Sequence, residues 1–133
     1  MSPGIKIYRI RDFIRKNETG DLDYDRAVGI VHDLAAAALS HLDHNILIDV
    51  RETTLSITSI TEVMKIALEF EKLTSVFRNR IATVVPNDAD RVSMAKNLEA
   101  CLHIKRFDYR VFTDFEAAIE WLSETEEMRH DVT

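Results

Sequence analysis

The sequence predicts an α/β fold: a single compact domain in which about four helices cover a mixed, mostly parallel sheet of about five strands. Three observations lead there. Strand and helix patterns alternate, in the order strand, strand, helix, then strand and helix three times more, and such alternation calls for a largely parallel sheet. The run Ile46-Leu47-Ile48 is apolar at every position, which suits a strand buried on both faces. A chain of 133 residues with 46% hydrophobic and 30% charged side chains can bury one core and is too apolar to stay disordered.

Residues 5–10 alternate apolar and polar side chains as a half-buried strand does, and residues 13–17 make a second strand close behind. That tight connection allows one antiparallel pair. Gly20 and Asp21 are expected to break the chain. Leu22 and Asp23 then read as a staple residue and an N-cap for a helix starting near Tyr24, whose buried stripe is Ala27, Val31, Leu34, Ala35, Ala38 and Leu42. Gly29 within it costs about 1 kcal/mol relative to alanine, so it marks either tight packing or nothing. The central strand at 46–48 is expected to end at Asp49, Arg51 and Glu52 and to pass into a hydroxyl-rich loop. Ser59-Ile60-Thr61-Glu62 matches a capping box and opens a helix over 60–74, with Val63, Ala67, Phe70 and Leu73 inward and Met64 and Ile66 beside them. A strand over 80–85 stops at Pro86, and turn and N-cap chemistry over 87–90 leads to a helix whose inner stripe is Val92, Ala95, Leu98 and Leu102. Residues 109–112 form the last strand. Thr113-Asp114-Phe115-Glu116 reads as a second capping box, ahead of Phe115, Ala118, Ile119 and Leu122, with Trp121 alongside. The domain is expected to span 1–123, with 124–133 a polar tail.

Composition argues against several function classes. A net charge of −6 disfavours nonspecific attraction to nucleic acid or anionic lipid. Arg78, Arg80, Lys105 and Arg106 are the only local basic candidates, and they flank element ends. No apolar run approaches the ~20 residues of a membrane span, the N-terminus has no signal-like apolar core, and a single cysteine fits a reducing, cytoplasmic setting. His41, Asp43 and His44 could supply metal ligands, but no second cluster completes a set, so they read as a helix end and an exposed loop. His32, His103 and His130 are isolated. No metal and no cofactor is expected. With three glycines and none of the phosphate-cradling or nucleophile-elbow motifs, the chain is expected not to be an enzyme and to have no catalytic residues. Cys101 reads as a small core residue, and Asp49, Glu52, Asp88 and Asp90 as solvated loop charges.

The pattern Ile46-Leu47-Ile48-Asp49-Val50-Arg51, then Ile81-Ala82-Thr83-Val84-Val85, then Ala89-Asp90-Arg91 with Met94-Ala95 and Leu98-Glu99, and finally the run 111–122 resembles the SpoIIAA-like, STAS-type bacterial domains over residues 4–123. The resemblance implies a sheet with packed helices, no catalysis, and regulation by binding a partner protein. Its better understood members carry Asp-Ser-Ser-Gly at the helix start after the central strand, with a phosphorylated serine. Here that place reads Ile57-Thr58-Ser59-Ile60, so the hydroxyls of Thr58 and Ser59 stay while the acidic residue and glycine are gone.

The expected function is therefore a STAS-like protein-interaction module. Its partner-binding rim is Arg51, Glu52, Thr54, Ser56, Ile57, Thr58 and Ser59, at the carboxyl end of the central strand, with Arg51 and Ile57 near the surface. The alternative is a binder of a small apolar or lipid-like molecule, in a pocket lined by Met64, Phe70, Met94 and Phe115. Nucleic acid and membrane insertion are not expected.

Overall fold

Strands β1 to β4 occupy Phe13–Leu22, Asn45–Leu55, Ile81–Val84 and Tyr109–Phe112, and helices α1 to α4 occupy Tyr24–Leu39, Ile60–Glu71, Ala89–Ile104 and Phe115–Ser123. The computed structural model describes residues 12–123. The strands lie in the order β1-β2-β3-β4 and each neighbouring pair is parallel. The chain is thus a single compact α/β domain of four parallel strands and four helices among the described residues. The strand expected at 5–10, with its antiparallel pairing, and the tail at 124–133 lie outside them.

An unbroken strand order joined by right-handed crossovers puts every connecting helix on the same face of the sheet. Accordingly α1, α2 and α3 share one core with Ile46, Ile48 and Val50 of β2, Ile81 of β3, and Tyr109 and Val111 of β4. Helix α4 follows the last strand, makes no crossover, and covers the opposite face, where Ala118, Ile119, Trp121 and Leu122 meet Leu47, Ala82 and Val84. The two inner strands feed both cores alternately. This is why 46–48 is apolar without a break.

Capping decides the helix starts. Asp23 Oδ1 accepts the Arg26 N–H at 2.8 Å, and Ser59 Oγ accepts the Glu62 N–H at 3.1 Å. The return half of the Ser59 box differs from expectation, since Glu62 Oε1 meets the Ser59 hydroxyl at 3.3 Å. The second box is corrected: Asp114, not Thr113, caps α4, its Oδ2 accepting the Ala117 N–H at 3.0 Å. Asp114 stands directly before the first helical residue, Phe115, where a carboxylate can reach the free amides of the first turn. Leu42 lies beyond α1 and is exposed. Helix α2 ends at Glu71, three residues early, and the Thr74 hydroxyl donates to the Glu71 carbonyl at 2.6 Å. A Cβ placed on Gly29 would meet nothing within 4 Å, so this glycine marks no close approach.

Gly20 and Asp21 do not break the chain. Gly20 takes φ +82°, which suits glycine, and β1 continues to Leu22 with Gly20 paired to Thr53 and Asp21 to Thr54. Beside it, β2 is bulged. Asn17 faces Asp49 while Thr19 faces Glu52, so β2 carries one residue more than β1 between those pairs. The extra residue reverses the alternation. Before it, Ile46, Ile48 and Val50 point to the three-helix face; after it, Thr53 is buried and Leu55 and Ile57 line that same side.

Candidate functional site

Unequal strand lengths open a crevice at the carboxyl end of the sheet. β2 runs on beside β1 to Leu55, but β3 pairs with β2 only through Asp49 and Val84. The overhang of β2 is left without its inner neighbour. Helix α3 fills part of the gap, and Arg91 in its first turn bridges it, Nη1 donating to the Thr53 carbonyl at 2.7 Å and Nη2 to Thr53 Oγ1 at 2.9 Å. Burial draws the Arg91 guanidinium below the ordinary arginine value. What remains is a crevice of about 640 Å³ between Thr53, Thr54, Leu55, Ile57 and Thr58 on one side and Pro86, Asp88, Asp90, Arg91, Ser93 and Met94 on the other.

Inward of it, between the sheet and α1, α2 and α3, lies a cavity of about 130 Å³ with almost wholly apolar walls. Leu55, Ile57, Arg91 and Met94 border both spaces, so the crevice is the outer approach to the cavity. Ala27 and Ile30 of α1, Val63, Ile66 and Phe70 of α2, and Ala95 and Leu98 of α3 form its roof, over Ile48, Val50, Thr83, Val85 and Tyr109. Beside the void, α3 departs from expectation. Of the stripe Val92, Ala95, Leu98 and Leu102 only Leu102 is fully buried; Ala95 and Leu98 pack against the core only in part and border the cavity.

Two hydroxyl groups interrupt the apolar floor. Thr83 is 7% exposed, and its Oγ1 makes no hydrogen bond of acceptable geometry, the neighbouring Tyr109 hydroxyl included. Burial pushes the Tyr109 phenol up to about 12, which keeps it protonated.

The expected rim is only partly assembled here. Thr54, Ile57 and Thr58 line the crevice. Ile57, however, is 5% exposed and part of the core, which corrects the expectation that it sits near the surface; the β2 bulge turns it inward. The Thr54 hydroxyl donates to Asp21 Oδ1 at 2.8 Å and the Ser56 hydroxyl to Asp21 Oδ2, pulling Asp21 below the usual aspartate value, with Ser56 the larger influence. Ser59 is occupied as a cap. Glu52 is exposed on the overhang. Arg51 belongs to the opposite face of the sheet, where Nε and Nη2 donate to Asp49 at 3.0 and 2.7 Å and the guanidinium lies 5.2 Å from the Phe115 ring centre.

Asp49 is therefore no solvated loop charge. It is 8% exposed, held by Arg51 and by Arg15 at 3.6 Å, and the Arg51 hydrogen bonds keep its carboxyl below the ordinary value. Asp88 caps α3, its Oδ2 accepting the Arg91 N–H at 3.1 Å. Of the pocket expected from Met64, Phe70, Met94 and Phe115, only Phe70 and Met94 line the cavity. Phe115 packs under Arg15 and Arg51, and Met64 is 54% exposed in a separate surface groove of about 250 Å³ with Leu68, Cys101, Ile104 and Lys105. Cys101 is thus half-buried, packed against the edge of the core.

The histidines are engaged locally. His41 Nδ1 lies 3.1 Å from the Ala37 carbonyl at the end of α1, His44 Nδ1 3.0 Å from Asp43, His32 Nε2 3.0 Å from Glu69, and His103 Nε2 2.7 Å from the Tyr109 carbonyl. His130 lies outside the described residues. Among the described residues no three His, Cys, Asp or Glu side chains converge as metal ligands, and no helix is long and apolar enough to cross a membrane. Of the basic candidates, Arg80 pairs with Asp108 at 3.6 Å and Lys105 with Glu71 at 3.3 Å.

The residues that sequence reasoning missed are Thr83, Arg91 and Tyr109. Thr83 had a readable signal, as the one polar residue inside the aliphatic strand 81–85. No protein-family model, curated protein or solved structure matches the chain.

Proposed function

We propose that this is a non-catalytic, cytoplasmic binding domain of the SpoIIAA-like, STAS-type group that holds a small apolar or lipid-like molecule between its helices and its sheet. The observation that carries the reading is the cavity with its outer crevice. An unfilled apolar void of about 130 Å³ withholds roughly 3 kcal/mol of packing from a domain whose whole stability is of order 10 kcal/mol. Alanines at 27 and 95 line it where larger side chains would fill it, and an apolar void near this size is known to take up a benzene-sized guest. Native mass spectrometry of protein purified from its own host tests this. A retained small molecule at one per chain, absent from the cavity-filling variant Ala95→Leu, is the expected result; identical masses with no retained species in either would speak against it.

A second reading, the regulatory protein-interaction module, is favoured by one observation. Ile60, Met64 and Leu68 recur every fourth residue along α2 and, with Ile104 at 82% exposure, leave apolar side chains in water. That reading puts the partner surface on the α2–α3 side rather than on the rim at 51–59. It predicts that Leu68→Glu abolishes capture of a specific partner without lowering stability.

A further inference from the structure

Resting on the cavity reading, we propose that the molecule bound there carries a neutral oxygen, a carbonyl or a hydroxyl, at its buried end, and that Thr83 and Tyr109 receive it. A buried hydroxyl without a partner gives up its hydration and gains nothing in return. Thr83 Oγ1 has no partner of acceptable geometry in the protein, and valine would fill the same volume without leaving a hydroxyl unbonded. Its strand neighbours are Ile48 on β2 and Val111 on β4, so the nearest paired residues offer no side-chain partner. The hydroxyl lines the cavity beside the Tyr109 hydroxyl, with which it makes no bond of acceptable geometry, so a guest oxygen at the floor is placed to bond both.

Charge decides the chemistry of that guest. Tyr109 lines the same floor, is 3% exposed and keeps its proton, so it too can donate. The cation bordering the cavity, Arg91, is held at its mouth by both donations to Thr53. On the Tyr109 side stands Glu99, whose Oε2 accepts the Val111 N–H at 2.8 Å and whose charge raises the phenol further. A carboxylate pushed to the floor would meet that negative charge and lose its hydration, and a buried ammonium would lose its own. A ketone, aldehyde, ester or alcohol oxygen loses little and gains one or two hydrogen bonds. A charged end, where the ligand has one, stays in the crevice beside Asp88, Asp90 and Arg91.

The test uses cyclohexanone and methylenecyclohexane, which share a shape and differ in the oxygen, titrated by NMR into the full chain and its variants. The preference for the ketone over the hydrocarbon should fall about tenfold in Thr83→Val and in Tyr109→Phe, the worth of one neutral hydrogen bond, while hydrocarbon affinity stays unchanged. Thr83→Ser, which keeps the hydroxyl, should retain the preference. If the hydrocarbon binds and the preference is the same in all four proteins, the polar-end inference is wrong and the cavity reading stands. Binding of neither probe to the parent protein overturns both.

Discussion

Ser59 illustrates how a residue that suggests regulation can be explained by structure. Its hydroxyl stands where the resemblance to STAS-type domains would place a phosphorylated serine, yet it is already committed to the Glu62 N–H at 3.1 Å. Ser59→Ala should therefore cost about 1 kcal/mol, seen as a lower urea midpoint; an unchanged midpoint would remove the capping account. Asp49 carries a pH dependence. Its folded-state pKa lies below the ordinary 3.8 because Arg51, and then Arg15, favour the carboxylate, so its contribution is fully present above 3.8 and is lost as pH falls through the lower folded value. Urea unfolding of Arg51→Ala against the parent should show a gap of about 1 kcal/mol at neutral pH, small because Arg51 is half-exposed, closing below pH 3.8. A gap that persists unchanged at lower pH would contradict the pairing. Asp49 was not legible as a site, and Thr83 was marked only by being the one polar residue in an aliphatic strand. An aspartate at the end of an aliphatic run looks like the start of a loop until the bulge and Arg51 are seen.

At the scale of elements, most of the fold was readable, because its signals are local. Caps at Asp23 and Ser59 and the strand 109–112 depend on residues a few positions apart, and they fell where the sequence placed them. The failures depend on partners far along the chain. Gly20 reads as a breaker alone but as a strand residue once β2 lies beside it, and the single extra residue in β2 turns Thr53, Leu55 and Ile57 inward against the alternation counted from Ile46. A one-residue slip of that kind moves every following side chain to the other face, and no local pattern announces it. The same applies to α3. Its inner stripe is sound, but Ala95 and Leu98 border the cavity, and Ala95→Leu should fill that space and raise stability by about 1 kcal/mol or more. A drop in melting temperature would mean that the helix already touches the sheet and that the cavity is closed in solution.

For the whole molecule, strand length rather than strand order explains where the crevice opens. Open α/β sheets usually form their crevice where the order of strands reverses, and among the described strands β1-β2-β3-β4 contains no reversal. The crevice comes instead from the overhang of an eleven-residue β2 past a four-residue β3, closed over by Arg91 at the start of α3. A crevice does lie at the carboxyl end of the central strand, where a site was expected, but a strand overhang rather than a reversal of strand order forms it. Loop hydroxyls drew attention to residues 54–59, but three of them serve Asp21 and the α2 cap, and the apolar cavity behind them is made by residues from seven elements that no single stretch of sequence brings together.

The account rests on that cavity accepting a guest. Methyl NMR spectra of the full chain during titration with benzene test it most directly, because Ile48, Val50, Leu55, Ile57, Val63 and Leu98 line the void while Leu47 and Val84 lie on the opposite face of the sheet. Saturable shifts confined to the first group, and abolished by Ala95→Leu, are the predicted result. Shifts that never saturate, or that fall equally on Leu47 and Val84, would contradict it.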